Sequence, residues 1–335
     1  MTDPQPEAAA FAGFIDLASA RLGGRALLAN DEFFAEKENL LQPSRAIFIA
    51  DKYTERGKWM DGWETRRRRT PGHDWCIVRL GLPGVVRGVV VDTAFFRGNY
   101  PEQCSLEGAA VAGVPDPQEL AGEGSVRWTE ILPRSPLAGD SKNAFTIASG
   151  ERLTHLRFHI YPDGGVARLR VHGEARSDPA RLARGQVLDL AAMENGGYVV
   201  VCSDMFFGHR QNLILPGRST HMGDGWETRR RRGPGHDWTI VRLAARGSVQ
   251  RLELDTDHFK GNAPGRCMLE WCDAPGADSA ALQSSAKWQP LLAETPLQPH
   301  ARHAWDVTTP PATHVRLNIY PDGGVARLRV FGAVA

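Results

Sequence analysis

Apolar and polar residues alternate along several short segments of the chain. In THLRFHIY, residues 154–161, the apolar Leu156, Phe158 and Ile160 alternate with polar residues, and VARLRV at 166–171 alternates as well. Successive side chains of a strand point to opposite sides, so this pattern predicts strands with one buried face. The Pro-Asp-Gly-Gly between the two segments predicts a tight hairpin, because Asp-Gly with a further glycine supplies positive φ angles.

Turn-forming residues are frequent over the whole chain, which has 35 glycines and 22 prolines. This number disfavours long helices. Short strands with frequent turns are typical of a β-sandwich or a jelly roll, so we predict an all-β protein. One short helix is predicted over residues 31–41, with Asn30 or Asp31 at its N-terminus.

The chain contains the same sequence twice. DGWETRRRRTPGHDW at 61–75 returns at 224–238 with one difference, and YPDGGVARLRVHG at 161–173 returns at 320–332 with one difference. Weaker sequence matches accompany these motifs and occur in the same order in both copies. Each copy is long enough to close its own core, so the repeat indicates two domains and not a solenoid.

The domain boundaries follow from the repeat. A length of 335 residues suits two domains, and we predict them at residues 1–175 and 186–335, joined by a polar linker. IDLASARLGG from Ile15 matches the segment from Leu188 at an offset of 173, whereas Asp61 matches Asp224 at an offset of 163. The first copy therefore carries about ten extra residues, around 48–58.

Composition excludes several classes of partner. The net charge of +1 gives no basic field for nucleic acid, and no apolar run is long enough for a membrane-spanning helix. The N-terminus lacks the features of a signal peptide. Five cysteines without a Cys-x-x-Cys pair favour reduced thiols in the cytoplasm. Cys267, Cys272 and His258 match no common zinc spacing, so buried structural thiols are the favoured interpretation.

The long repeated motif is the first place to search for chemistry. If residues 63–69 are extended, Glu64, Arg66 and Arg68 share one face, and the second copy repeats them. A structural alternative is that the tryptophans fill the core and the arginines coat a strand. Charged residues are rarely core residues, and a planar guanidinium suits a bidentate grip on a small carboxylate. The predicted substrate-binding residues are Arg66, Arg68 and Asn99, with Arg229, Arg231 and Asn262 in the second copy.

A histidine and an aspartate follow at the edge of the next predicted strand. His73 titrates near neutral pH and is a candidate proton donor, and its partner is either Asp74 or Glu64. Asp74 has the alternative role of holding the turn. The predicted catalytic residues are Glu64, His73 and Asp74, with Glu227, His236 and Asp237 in the second copy.

Motifs for a covalent nucleophile or a shared metal are lacking. There is no Gly-x-Ser-x-Gly elbow and no Walker loop. His155 and His159 lie four residues apart, but on a predicted strand with their face outward, and Asn318 stands at the second position in the other copy. A metal site common to both copies is therefore disfavoured there.

Six motifs together resemble the allantoicase family. In chain order they are DLASxxLGG, DEFFAxxxNLL, GKWMDGWETRRRR, GHDW, VDTxFFxGNxP and YPDGGVARLRVxG, and they extend from Ile15 to Gly332. The resemblance implies two jelly-roll domains of the galactose-binding-like kind. It also implies conversion of allantoate and water to ureidoglycolate and urea in purine degradation. The second copy departs from the pattern at Gly223, which replaces Met60, and it lacks Lys58-Trp59, so the number of working sites is open.

The implied reaction needs a carboxylate clamp, a general acid and a base that positions water. Arginine would be the clamp, His73 or Glu64 the proton donor, and Asp74 or Glu64 the base. A divalent metal and a homo-oligomer are left open. Two rival functions are a non-catalytic module that stacks Trp63 or Trp226 on a sugar, and another ureido or amidino hydrolase of the pathway.

Overall fold

The computed structural model describes residues 11, 13–122, 124, 126–178, 180 and 182–335. Contacts divide the chain into two units, Met1–Arg176 and Ser177–Ala335. Antiparallel pairing joins the strands in both units, and the helices are short. The predicted all-β fold with two repeated halves is therefore confirmed. In the described residues, no helix has the length and the apolar character needed to cross a bilayer.

The described part of the first unit contains twelve strands, several of them only two residues long. They are β1 (Ile15–Asp16), β2 (Arg25–Ala29), β3 (Tyr53–Thr54), β4 (Gly57–Lys58), β5 (Trp63–Glu64), β6 (Asp74–Asp92), β7 (Gln103–Ala109), β8 (Thr129–Pro136), β9 (Lys142–Thr146), β10 (Arg152–Tyr161), β11 (Gly165–Val166) and β12 (Arg168–Ala175). Helix α1 spans Pro117–Ala121, and 3-10 helices span Ala20–Leu22 and Lys37–Leu41.

Strand β6 is long enough to take part in both layers of a sandwich. Its first half pairs with β10 and β2, and β10 continues through β7 to β8. Its second half pairs with β12 and β9, and β12 continues to β1. The fully buried Leu156, Phe158 and Ile160 of β10 and Leu169 and Val171 of β12 belong to the core. Alternation therefore predicted the buried faces correctly.

The second unit repeats this arrangement. Its strands are β13 (Val187–Asp189), β14 (Tyr198–Cys202), β15 (Trp226–Glu227), β16 (Asp237–Asp255), β17 (Arg266–Cys272), β18 (Gln289–Pro296), β19 (Arg302–Asp306), β20 (Pro311–Tyr320), β21 (Gly324–Val325) and β22 (Arg327–Val334). Helix α2 spans Ser279–Ser284, and 3-10 helices span Met193–Asn195, Arg210–Ile214 and Met222–Asp224. The last of these aligns in sequence with residues 59–61, which directly follow the β3–β4 hairpin of the first unit.

The Pro-Asp-Gly-Gly segment is not a hairpin turn, and that prediction was wrong. Strand β10 pairs with β6 and β7, whereas β12 pairs with β6 and β1, so the two strands never pair with each other. The segment instead links the two layers. Its glycines are needed for close packing, since a Cβ on Gly165 would lie 2.0 Å from the Phe96 ring.

The helix predicted over residues 31–41 is shorter than expected. Only Lys37–Leu41 is helical, as a 3-10 helix with Glu36 at its N-terminal cap. Asp31 has a different task, because its carboxylate accepts hydrogen bonds from the backbone N–H groups of Phe33 and Arg66. Residues that favour helix caps also form such loop contacts, which explains the error.

His155 and His159, which were predicted to face outward, are both buried, and so is His314, the counterpart of His155. His155 and His314 are each 2% exposed, and each Nδ1 lies 2.9 Å from the hydroxyl of the preceding threonine. Burial lowers the pKa of both to about 4, and Arg79 and Arg242 respectively add to the effect. Both rings are therefore neutral in the folded protein at neutral pH.

Stability is expected to fall in mild acid because of these histidines. Their ordinary pKa of 6.5 lies above the folded value, so the unfolded chain binds more protons as pH falls from 6.5 towards 4. At pH 5 each of these histidines lowers the free energy of unfolding by about 2 kcal/mol. Thermal unfolding of the His155→Gln/His314→Gln variant should lose less stability between pH 7 and pH 5 than the wild type. Equal losses would contradict the assignment.

Candidate active site

Glu64 lies in a pocket of the first unit. Its strand, β5, pairs with β11, which places Glu64 opposite Gly165. The amide Nδ2 of Asn99 donates a hydrogen bond of 2.7 Å to Glu64 Oε1. The cavity measures about 290 Å³ and is lined by Phe34, Lys58, Met60, Glu64, Phe95, Arg97, Gly98 and Asn99. Two cationic side chains thus share a pocket with a carboxylate and an amide.

Backbone contacts bring Glu64 and Asn99 together although 35 residues separate them. Gly165, the strand partner of Glu64, donates its N–H to the Asn99 carbonyl over 2.7 Å. A Cβ on Gly164 would lie 2.8 Å from the Asn99 carbonyl oxygen, so only glycine allows this approach. The repeated Asp-Gly-Gly segment therefore holds the pocket together.

The environment of Glu64 suits proton transfer. Burial raises the pKa of its carboxyl, and the hydrogen bond from Asn99 acts in the opposite direction. A carboxyl group with a raised pKa is a better general acid near neutral pH. Since Asn99 donates its N–H to Oε1, the amide oxygen of Asn99 and the second oxygen of Glu64 can both accept hydrogen bonds from a ligand.

The insertion of the first copy forms a wall of this region. Its β3–β4 hairpin ends at Lys58, and Arg56 donates a hydrogen bond to the Phe33 carbonyl. Lys58 Nζ lies 5.0 Å from the Phe48 ring centroid and 4.6 Å from that of Tyr53. A second cavity of about 510 Å³ shares Phe34 and Met60 with the first, and Trp59 lines it. The extra residues thus contribute to the pocket.

The arginines predicted to grip the substrate are engaged elsewhere. Arg66 Nε lies 2.6 Å from Asp31 Oδ2, and Arg68 Nη1 lies 2.5 Å from the buried Asp74. The extended strand that would align them with Glu64 ends at Glu64, so the predicted shared face does not exist. In the second unit, Arg229 lies 3.7 Å from Asp204 and Arg231 lies 2.5 Å from Asp237. In both units the aspartate after the histidine is therefore a buried ion-pair partner.

His73 does not contact Glu64. Its Nε2 lies 2.9 Å from His159 Nδ1, and His159 Nε2 lies 2.8 Å from Glu107 Oε2. Burial lowers the pKa of His73, and the neighbouring His159 adds to the effect. In the second unit, His236 Nε2 lies 3.1 Å from Asn318 Oδ1. The catalytic role of His73 and His236 stays a prediction.

The two motif tryptophans belong to the core. Trp63 and Trp226 are fully buried, and their indole N–H groups donate to the carbonyls of Asp31 and Asp204 over 2.8 Å. Neither ring can stack on a ligand. The sugar-stacking alternative is therefore wrong for these residues, and the core-filling interpretation of the tryptophans is correct.

Comparison with known proteins identifies the family of this chain. The family model described as "Allantoicase repeat" matches residues 15–176 and again residues 188–335. The chain belongs to the allantoicase family. It is 50% identical over 327 residues to "Probable allantoicase 1" of Burkholderia mallei, with 96% of this chain and 95% of the relative covered. It is 46% identical over 319 residues to "Allantoicase" of Dictyostelium discoideum, with 94% and 86% covered.

A solved structure supports the same family. The crystal structure of allantoicase from Saccharomyces cerevisiae matches with a TM-score of 0.75 and 33% identity, and the match covers 98% of both chains. The similarity therefore extends over both units of this allantoicase-family chain.

The second repeat of this allantoicase-family chain keeps the central pair of the site. Asn262 Nδ2 donates to Glu227 Oε1 over 2.6 Å, and Glu227 lies opposite Gly324 in the β15–β21 pair. The same amide nitrogen lies 3.3 Å from the Met222 sulfur. Glu64 with Asn99 and Glu227 with Asn262 are thus the predicted residues that the structure brings together.

Sequence reasoning missed Lys58, Arg97 and a buried arginine. Lys58 was visible as part of the insertion, and Arg97 stands where the second copy has Lys260. Arg168 is 1% exposed, and its Nη2 lies 2.8 Å from the carboxylate of Asp61. The sequence held a signal for this ion pair, because Arg168 and Asp61 recur in the second copy as Arg327 and Asp224.

Among the residues that the structure describes, no group of three or more His, Cys, Asp or Glu side chains is arranged to hold a metal ion. Cys267 and Cys272 are buried free thiols, and burial raises their pKa values to about 12 and about 11. These values favour inert structural thiols over thiolate ligands. His258 makes its ring contact with the Ser219 carbonyl instead, at 3.1 Å.

Proposed function

We propose that this chain hydrolyses allantoate to ureidoglycolate and urea in purine degradation, and that the reaction takes place in the Glu64–Asn99 pocket. The observation that carries the proposal is a half-buried carboxyl with a raised pKa, paired with an amide beside two cationic side chains. Membership of the allantoicase family, with relatives matched over nearly the whole chain, supports the same activity.

The substrate fits the groups that line the pocket. Allantoate carries one carboxylate and two ureido groups on a single carbon. Lys58 provides positive charge for the carboxylate, in place of Arg66 and Arg68, which are paired elsewhere, and Arg97 lines the same pocket with its Nε 3.0 Å from Asp140. A ureido group presents several N–H donors, which the free oxygens of Glu64 and Asn99 can accept.

In the proposed reaction, Glu64 first donates a proton and later accepts one. The protonated carboxyl gives its proton to the nitrogen of the leaving ureido group, and the lone pair of the other ureido nitrogen forms a C=N bond as urea leaves. Water then adds to that carbon and returns a proton to the Glu64 carboxylate, which yields ureidoglycolate. No covalent enzyme intermediate is required. A positioned acid–base group of this kind contributes about 10²–10⁴-fold.

Urea release is the direct test of the proposed reaction. The purified protein should release urea from allantoate but not from allantoin, in which ring closure ties up one ureido nitrogen. Coupled detection of urea and of ammonia separates this reaction from that of another ureido or amidino hydrolase. Absence of urea at neutral and mildly alkaline pH, with and without added divalent metal, would reject the proposal.

The cytoplasm is the proposed location of this activity. All five cysteines are free thiols, and four of them are buried. Reduced thiols without a disulfide framework are typical of that compartment.

A further inference from the structure

The second unit repeats the ligand-binding pair but not the surroundings of the first site. We infer that the Glu227–Asn262 pair forms a second ureido-binding site, which holds a ureido compound without hydrolysing it. This inference rests on the proposed function, because it takes the Glu64–Asn99 pair as the ureido-binding element.

The backbone frame of the pair is the same in both units. Gly324 donates its N–H to the Asn262 carbonyl over 2.8 Å, as Gly165 does to Asn99. A Cβ on Gly323 would lie 2.6 Å from that carbonyl oxygen. The Asn262 amide donates to Glu227 Oε1, which leaves the other carboxylate oxygen and the amide oxygen as neighbouring acceptors. Two adjacent acceptors match the N–H groups of a ureido group.

The walls of the second site are different. The second copy lacks the inserted hairpin, and residues 222–224, which align with residues 59–61, form a 3-10 helix. The exposed Gly223 replaces Met60, which is only 7% exposed. Phe207, the counterpart of the half-buried Phe34, is 62% exposed. The second site therefore lacks Lys58 and Met60, which line the pocket around Glu64, although Glu227 is half-buried like Glu64.

The aligned cations also differ. Lys260 replaces Arg97, and His258 replaces Phe95. The His258 ring is engaged with the Ser219 carbonyl, and its backbone N–H donates to His300 Nδ1 over 2.9 Å. Hydrolysis needs a cation for the substrate carboxylate beside the acid as well as ureido acceptors, and the second copy lacks the lysine that lines the Glu64 pocket. The second site retains only the binding elements.

Binding stoichiometry tests the inference with allantoate as the probe. Glu64→Gln keeps the shape of the first pocket while removing its proton, so calorimetric titration of this variant measures binding without turnover. We expect two allantoate molecules per chain, with different affinities. Adding Glu227→Ala or, independently, Asn262→Leu should reduce the number to one. The two substitutions act on the same site, so one of them suffices if the other prevents folding.

The outcomes separate this inference from the proposed function. One bound allantoate per chain in Glu64→Gln, unchanged by Asn262→Leu, overturns the second site even if the wild type releases urea. Two bound molecules, reduced to one by Asn262→Leu, support the second site even if urea release fails. Single-turnover measurement on Glu64→Gln adds a further check, because slow urea release that Asn262→Leu abolishes would show that the second site is hydrolytic and would overturn the inference.

Discussion

Replacing Glu64 with glutamine is expected to lower kcat by about 10²–10⁴-fold, because glutamine cannot give up or take back the proton. Glutamine has nearly the same size and can still accept a hydrogen bond from Asn99, which donates to Glu64 over 2.7 Å. Substrate binding should therefore change little. An interaction made only in the transition state lowers kcat and kcat/KM by the same factor, and steady-state urea release measures both.

The second unit provides the matched control for this variant. Glu227→Gln alters the equivalent pair, in which Asn262 donates over 2.6 Å, and should lower kcat by less than about threefold. Circular dichroism and thermal unfolding must show that both variants are folded. If both variants instead keep about half of the wild-type kcat with unchanged KM, the two sites work independently. The assignment of hydrolysis to the first unit would then be wrong.

Replacing Arg168 with methionine is expected to destabilise the first unit by about 3–5 kcal/mol, since it leaves a carboxylate without its buried partner. Arg168 is 1% exposed, lies 2.8 Å from Asp61 and donates to the carbonyls of Asp61, Ser44 and Ala167. Asp61 also accepts the backbone N–H of Ile47, so the ion pair fixes the start of the inserted segment. The melting temperature should fall by roughly 6–20 °C.

Two further variants distinguish loss of the ion pair from loss of packing. Arg168→Met/Asp61→Asn removes both charges and should recover part of the lost stability. Arg327→Met removes the equivalent arginine of the second unit, which lies 3.2 Å from Asp224, and should destabilise to a similar extent. Only Arg168→Met should also raise KM at a temperature where both proteins are folded, because Lys58 lies in the inserted segment. A Tm within about 2 °C of the wild type would contradict the structural role.

The sequence predicted much of the fold because strands can be recognised from neighbouring residues, and the repeat can be recognised by comparing two segments of the chain. Alternation identified the buried faces of β10 and β12, since side-chain direction follows directly from the period of a strand. Repetition identified the two units and the insertion around residues 48–58. It also selected Glu64 and Asn99 together with their counterparts. These features need no knowledge of which strand pairs with which.

The errors arose where long-range pairing decides the outcome. The Pro-Asp-Gly-Gly segment has the composition of a hairpin turn, yet β10 and β12 lie in different layers because β6 pairs with each of them through a different half. The strand that contains Glu64 ends after two residues, so the expected alignment of Arg66 and Arg68 never forms. Asp31 and Asp74 then take these arginines as partners.

By itself, the sequence determined that this chain is a duplicated all-β protein of the allantoicase family, and it selected candidate site residues, among them Glu64, Asn99 and His73. Only the tertiary structure decided how they are grouped. Asn99 contacts Glu64, whereas His73 contacts His159, and Lys58 replaces the paired arginines as a cation of the pocket. The physical reason is that each of these groupings depends on loops held by sheet pairing between segments distant in sequence, which residue spacing does not encode.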